Sequence, residues 1–188
     1  MIQKNIANII TAIHIILLPF IIWSQQVGTT ESLMWCLVLV CLGEITDFLD
    51  GQVARRLGQV STFGKLFDPL ADAITRGGIF LAFTASGWMP LWMCVIIISR
   101  DHIVAFTRMC AALSGIAISA RDSGKTKGWL QGIVQISVVL GYLLEHHLNA
   151  YGAASAASYW LLALATVWTA WSCVDYVVAG IQSSVFSR

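Results

Sequence analysis

Apolar residues along the chain gather into long runs separated by short polar stretches. Six runs stand out, at 6–24, 33–54, 67–86, 89–114, 128–148 and 157–182. A helix needs about 20 predominantly apolar residues to cross a bilayer, and each run is near or above that length. The third run is broken by acids near its start, and the fourth carries Arg100, Asp101 and Arg108 in its second half. The pattern predicts an all-α protein, a bundle of six transmembrane helices forming a single domain over 1–188. No internal repeat or low-complexity tract suggests a second domain. No small-x-small cleavage site follows the run from Ile6 to Trp23, so that run reads as a retained span rather than a signal peptide.

Composition agrees with the pattern. Hydrophobic residues make up 57% of the chain and charged residues only 11%, less than half of the roughly 25% usual in soluble domains. Such a chain cannot cover a water-facing surface, which excludes a soluble enzyme, a disordered tail and a coiled coil. A net charge of +1 gives no general attraction to nucleic acid. The five cysteines, Cys36, Cys41, Cys94, Cys110 and Cys173, lie within apolar runs and show no metal-ligand spacing. They read as small buried hydrophobes.

Basic residues set the orientation. The stretches 25–32, 86–90 and 146–156 contain no Lys or Arg, whereas Lys4, Arg55, Arg56, Lys65, Arg121, Lys125, Lys127 and Arg188 all fall at the other ends of the runs. Excess Lys and Arg marks the cytoplasmic side. An even number of spans then puts both termini in the cytoplasm. Trp23, Trp88, Trp92, Trp129 and Trp160 sit near run ends and read as interfacial anchors, as do His146 and His147 at the non-cytoplasmic edge.

The chemistry concentrates in Asp47-Phe-Leu-Asp50-Gly51-Gln-Val-Ala54-Arg55 and Gly64-Lys-Leu-Phe-Asp68-Pro-Leu-Ala-Asp72. Asp47 and Asp50 are i,i+3 and share one face of the second helix, while Asp68 and Asp72 are i,i+4 and share one face of the third. The short link between the two runs makes them antiparallel neighbours, so the four carboxylates converge at the cytoplasmic end. Charged groups within a membrane segment are costly and signal function. Four like charges in one place repel, and divalent cations relieve the repulsion. Hard oxygen donors suit Mg²⁺ or Mn²⁺, and four carboxylates suffice for two ions, the arrangement of phosphoryl-transfer sites. Gly51, Ala54 and Gly64 leave room for a ligand beside the backbone, and Arg55 can pair with a phosphate. A ligand-free salt-bridged network, using Arg55, Arg56, Lys65 and Arg76 as counter-cations, is the competing reading. It leaves the small residues unexplained.

These residues resemble the signature of the CDP-alcohol phosphatidyltransferase family, DxxDGxxAR, eight residues, then GxxxDxxxD, at each specified position. Over nearly the whole chain the likeness is greatest to the family's bacterial phosphatidylglycerophosphate synthase branch. It extends to Asn8-Ile-Ile-Thr11, Ile-Leu-Leu-Pro19-Phe, Arg100-Asp101 and Gly124-Lys125-Thr-Lys127. The resemblance implies a bacterial inner-membrane enzyme, active on the cytoplasmic face. It implies transfer of the phosphatidyl group of CDP-diacylglycerol to an alcohol, with release of CMP. By the same resemblance Asp47, Asp50, Asp68 and Asp72 hold two Mg²⁺ or Mn²⁺ ions, and Asp72 is also the base that deprotonates the attacking hydroxyl. Gly51, Ala54, Arg55 and Gly64 line the CDP-diacylglycerol pocket, and the assembly is a homodimer. Three positions depart from the branch: His14 replaces Arg, Ala73 replaces Lys after Asp72, and Gly128 replaces Thr after Lys127.

Those departures bear on the acceptor. Family members use glycerol 3-phosphate, inositol phosphate, serine, choline or another phospholipid such as phosphatidylglycerol. A phosphorylated acceptor needs cations of its own. Arg108, Arg121, Lys125 and Lys127 are the candidates, with Arg108 foremost because it sits within an apolar run. Arg121, Lys125 and Lys127 are expected to be exposed, and they equally suit anchoring to anionic lipid. Glycerol 3-phosphate is the favoured acceptor. Arg100 and Asp101 are expected to pair with each other or with the site, and Glu44 and Asp175 to pair within the bundle. His102 reads as a hydrogen-bonded core histidine, and His14 as structural in preference to a headgroup contact. A divalent-cation transporter is the rival from another class. Its site belongs near midplane between broken or repeated helices, whereas these acids lie toward one end beside basic residues.

Overall fold

The structure is a computed structural model that describes residues 6–56, 62–113, 122–148 and 152–182, with side chains for 13–46, 70–111, 122–148, 152 and 154–182. Among the described residues there are six helices and no strand: α1 (Ile6–Val27), α2 (Thr30–Arg56), α3 (Thr62–Ala85), α4 (Leu91–Leu113), α5 (Asp122–Leu148) and α6 (Ala153–Gln182). Each corresponds to one predicted apolar run. The main difference is at the polar ends. α3 starts at Thr62 rather than 67 and α5 at Asp122 rather than 128, because helical hydrogen bonding continues past the apolar stretch. At the start of α5, Thr126 donates to the Asp122 carbonyl at 2.9 Å and Lys125 pairs with the Asp122 carboxylate at 2.9 Å.

Local chemistry ends the helices where turns are needed. Gly28 follows α1 at φ 69°, and the Thr29 hydroxyl then caps α2 by accepting the Ser32 amide at 3.2 Å. Gly87, at φ 74°, closes α3: the Trp88 amide donates to the Phe83 carbonyl at 2.8 Å and the Gly87 amide to Thr84 at 3.1 Å. This is the glycine-closed pattern of a helix C-terminus. Glu145 caps α6 from α5, with its carboxylate accepting the Gly152 and Ala154 amides at 2.5 and 3.1 Å. The positive end of the α6 dipole favours that charge.

α1 packs on α2 and α3, α5 packs on α2, α3 and α6, and α4 packs on α3 and α6. Ile21, Val40, Phe80, Met93, Val138 and Leu162 form the centre of the core. Gly78 lets α1 come close to α3, since a Cβ there would stand 2.6 Å from a Leu18 methyl. The interior also holds polar side chains, with Gln131, Gln135, Thr169 and Ser172 fully buried. Large apolar groups face outward, among them Trp23, Trp160 and Val167 at 68%, 72% and 68% exposure. Apolar outside and partly polar inside is the arrangement suited to lipid. Asp122–Leu148 and Ala154–Gln182 are long and apolar enough to cross a membrane, and Ile13–Val27 is a shorter apolar stretch.

All five cysteines are free; Cys36 and Cys94 are buried, as their placement in apolar runs implied, whereas Cys41, Cys110 and Cys173 are only partly buried. Trp23, Trp92, Trp129 and Trp160 point outward. Trp88 is a correction. It stacks on Tyr142 at 4.0 Å and 7° and lies against Phe83, packing on the core rather than anchoring at the surface. His102 is a second correction. Its Nδ1 meets the Ile98 carbonyl at 2.8 Å, but the residue is exposed on α4 and not in the core.

Candidate active site

The two halves of the acidic signature lie on two continuous helices. Asp47, Asp50, Gly51, Ala54 and Arg55 fall on α2, and Gly64, Asp68 and Asp72 on α3. Helical backbone through both halves keeps each pair of acids on a shared face. The side chains of Asp47, Asp50, Ala54, Arg55 and Asp68, and the surroundings of Gly51 and Gly64, lie outside the described residues. Arg121 lies outside them altogether. Among the described residues no group of three or more His, Cys, Asp or Glu side chains is positioned to hold a metal. Asp72 is the only member of the quartet whose side chain is described.

Asp72 is half-exposed, at 41%, and faces Arg76 one turn further along α3, with Oδ2 3.8 Å from Nη1. The Arg76 guanidinium also reaches α2, where Nη2 donates to Glu44 Oε2 at 3.3 Å. Glu44 thus pairs within the bundle as expected. α1, α2 and α3 together enclose a cleft of about 20 Å³ lined by His14, Gly43, Glu44, Asp72, Thr75 and Arg76, and α1 is the helix that packs on both of the others. His14 is buried and hydrogen-bonds through Nε2 to the Thr46 hydroxyl. The same hydroxyl lies 2.7 and 2.9 Å from the Leu42 and Gly43 carbonyls. His14 pins α1 to α2 one residue before Asp47, a structural role. The donor set of the signature, four carboxylates and no soft ligand, fits a hard divalent cation.

A second polar cluster joins α4, α5 and α6. Asp101 accepts from Arg100 Nη1 at 2.9 Å and from Lys127 Nζ at 2.7 and 2.9 Å. Arg100 Nη2 donates to Ser172 at 2.6 Å, and Arg108 Nη2 to the Tyr176 hydroxyl at 2.6 Å. Both guanidinium groups stand over the buried Tyr176 ring, at 5.5 and 5.2 Å from its centroid. Nearby Ser123 donates to Asp175 at 2.5 Å, the expected internal partner for that acid. Gly124 makes room for Tyr176, since a Cβ there would stand 3.0 Å from its ring. The pairing of Arg100 with Asp101 is as expected. The expected exposure of Lys127 is overturned: it is 6% exposed, because α5 starts early enough to turn it inward onto Asp101. Lys125 faces outward and pairs with Asp122. Sequence reasoning did not find Ser172 and Tyr176. The available signal was two hydrogen-bonding side chains four residues apart, hence on one face, in an otherwise apolar run.

A family model for CDP-alcohol phosphatidyltransferases matches residues 4–171, most of the chain. The chain belongs to the CDP-alcohol phosphatidyltransferase family. It is 31% identical over 179 residues to a CDP-diacylglycerol--glycerol-3-phosphate 3-phosphatidyltransferase of Bacillus subtilis (strain 168), covering 89% of this chain and 92% of that one. A protein of the same name from Treponema pallidum (strain Nichols) is 36% identical over 124 residues, covering 65% of this chain and 56% of its own. A "Probable phosphatidylglycerophosphate synthase" of Mycobacterium tuberculosis (strain ATCC 25618 / H37Rv) is 27% identical over 183 residues, covering 95% and 82%. Gly128 is one of the three departures from the branch. Gly128 faces Arg76, where a Cβ would stand 2.9 Å from Nη1. This departure belongs to the Asp72 neighbourhood.

Proposed function

We propose that this protein transfers the phosphatidyl group of CDP-diacylglycerol to glycerol 3-phosphate, giving phosphatidylglycerophosphate and CMP. The observation that carries the reading is the intact acidic signature on two continuous helices of a family member. The names of its relatives support the acceptor. The chain acts as one domain over 1–188 with six membrane spans, both termini and the active site on the cytoplasmic side, in the bacterial inner membrane and as a homodimer. The one-sided Lys and Arg distribution supports this orientation.

Asp47, Asp50, Asp68 and Asp72 are the residues to hold two Mg²⁺ or Mn²⁺ ions. Such ions, when bound, neutralise the pyrophosphate and stabilise the departing CMP. Gly51, Ala54 and Gly64 leave space for the nucleotide and Arg55 pairs with its phosphate. Asp72 takes the proton of the acceptor hydroxyl. The hydroxyl oxygen bonds to the phosphorus that carries diacylglycerol. The bond from that phosphorus to the bridging oxygen breaks, and CMP leaves with that oxygen. The acceptor phosphate is held by Arg108 and Lys127, with the exposed Lys125 further out and Arg121 assigned to the same role from the sequence alone. Among the described residues, the buried Nε groups of Arg100 and Arg108 have no hydrogen-bond partner, which supports a site with donors to spare.

The test is purified protein with CDP-diacylglycerol and a panel of acceptors, product lipids being identified by mass. Glycerol 3-phosphate is expected to give phosphatidylglycerophosphate. Preference for inositol phosphate, serine, choline or phosphatidylglycerol would overturn the acceptor. Metal flux without CMP release would favour a transporter.

A further inference from the structure

Arg76 is held from three helices at once. On α3 it approaches Asp72 at 3.8 Å, and across to α2 it pairs with Glu44 at 3.3 Å. Its backbone carbonyl accepts from Gln135 of α5 at 3.1 Å. α5 also supplies the space. Gly128 and Gly132 lie one turn apart on the same face. A Cβ at 128 would press on the guanidinium, and one at 132 would collide with the Glu44 carboxylate. The ion pair therefore fills a groove that two missing side chains leave open. An arginine at i+4 could close fully onto the aspartate and cover it. Here Glu44 draws the guanidinium the other way, the Asp72 contact stays long, and the Asp72 side chain stays 41% exposed.

We propose that the Glu44–Arg76 pair, seated against Gly128 and Gly132, is a positioning clamp that orients Asp72 without covering it. The inference rests on the reading of Asp72 as the proton acceptor. Arg76 and Glu44 act through Asp72 and touch no substrate. A misplacement of about 1 Å at a reacting group can cost on the order of 10²-fold in rate, which sets the scale of the effect. Glycine at 132 makes the clamp testable without deleting either partner: Gly132→Ala displaces the Glu44 carboxylate from Arg76 while both side chains remain.

The experiment compares wild type, Arg76→Ala, Arg76→Lys, Gly132→Ala and the Arg76→Ala/Gly132→Ala double variant, purified with lipid, for CMP release from CDP-diacylglycerol. Arg76→Ala is expected to lower kcat on the order of 10²-fold, with the KM for both substrates little changed. Arg76→Lys is expected to recover part of the loss. Gly132→Ala is expected to lower kcat less, and the double variant to be no worse than Arg76→Ala, because residues acting as one unit are not additive. Mn²⁺ binding, followed by electron paramagnetic resonance, is expected to persist in all variants. Additive losses, a loss carried by KM, or loss of Mn²⁺ binding would each overturn the clamp. CMP release by the wild type with such a pattern would leave the phosphatidyltransferase reading intact. No CMP release by the wild type would overturn that reading and the clamp with it.

Discussion

The two polar regions of this bundle are built in opposite ways. The α2–α3 region gathers acids, with Arg76 and Glu44 paired beside Asp72. The α4–α5–α6 region gathers cations, with Arg100, Arg108 and Lys127 around Asp101 and Tyr176. The acidic region comes from two short segments that are neighbours in sequence. The basic one is assembled from side chains as far apart as residues 100 and 176. An unbalanced charge of either sign is costly inside a membrane protein. Under the proposed function the first region would serve cations and the chemistry, and the second a phosphate and the choice of acceptor.

Removing metal should break the comparison most severely. With chelator, turnover is expected to fall to background and to return with Mg²⁺ or Mn²⁺, read as CMP release. Full activity in metal-free buffer would contradict the role of the acids.

Next comes the base. Asp72→Asn is expected to lower turnover by about 10²–10⁴-fold, the usual cost of a lost general base, while nucleotide binding measured by calorimetry persists. Asp47→Asn is expected to weaken nucleotide and metal binding itself. Near-normal turnover of Asp72→Asn would reassign the base.

The basic region should respond in KM. Arg108→Ala is expected to raise the KM for glycerol 3-phosphate far more than that for CDP-diacylglycerol. A lost charge-assisted hydrogen bond of roughly 1.5–3 kcal/mol corresponds to about 10- to 150-fold. Unchanged acceptor KM would remove Arg108 from the pocket. The smallest effects separate Lys127 from Lys125. Lys127→Ala is expected to give a smaller rise in acceptor KM than Arg108→Ala, one that survives in about 1 M salt, where exposed charges are screened within about 3 Å. Lys125→Ala, on the exposed face, is expected to change little, and that little is expected to vanish in salt.

The difference between the regions also explains what the sequence disclosed. The six helices were legible because each apolar run is long, and the acidic signature was legible because helical spacing maps i,i+3 and i,i+4 directly onto a face. Helix starts at Thr62 and Asp122 were missed because polar turns continue a helix without an apolar signal. That error hid the burial of Lys127, since its direction depends on helical phase from Asp122. Arg76 was visible as a nearby cation, but its partners on α2 and the matching glycines of α5 depend on tertiary packing. Tyr176 and Ser172 were hidden for the same reason. The direction of a polar side chain within an apolar helix is set by its neighbours, and α4 and α6 are neighbours only in space.

The division of labour is tested most directly by CMP release with glycerol 3-phosphate, with glycerol and with no acceptor, in wild type and Arg108→Ala. Glycerol offers the same kind of hydroxyl without the phosphate, so the ratio of kcat/KM for the two acceptors isolates what the basic region contributes. The wild type is expected to release CMP only with metal and an acceptor, and to favour glycerol 3-phosphate strongly. Arg108→Ala is expected to shrink that preference by about 10- to 150-fold, the cost of one charge-assisted hydrogen bond, while its reaction with glycerol is unchanged. Equal loss on both acceptors, or a wild type indifferent to the phosphate, would contradict the account.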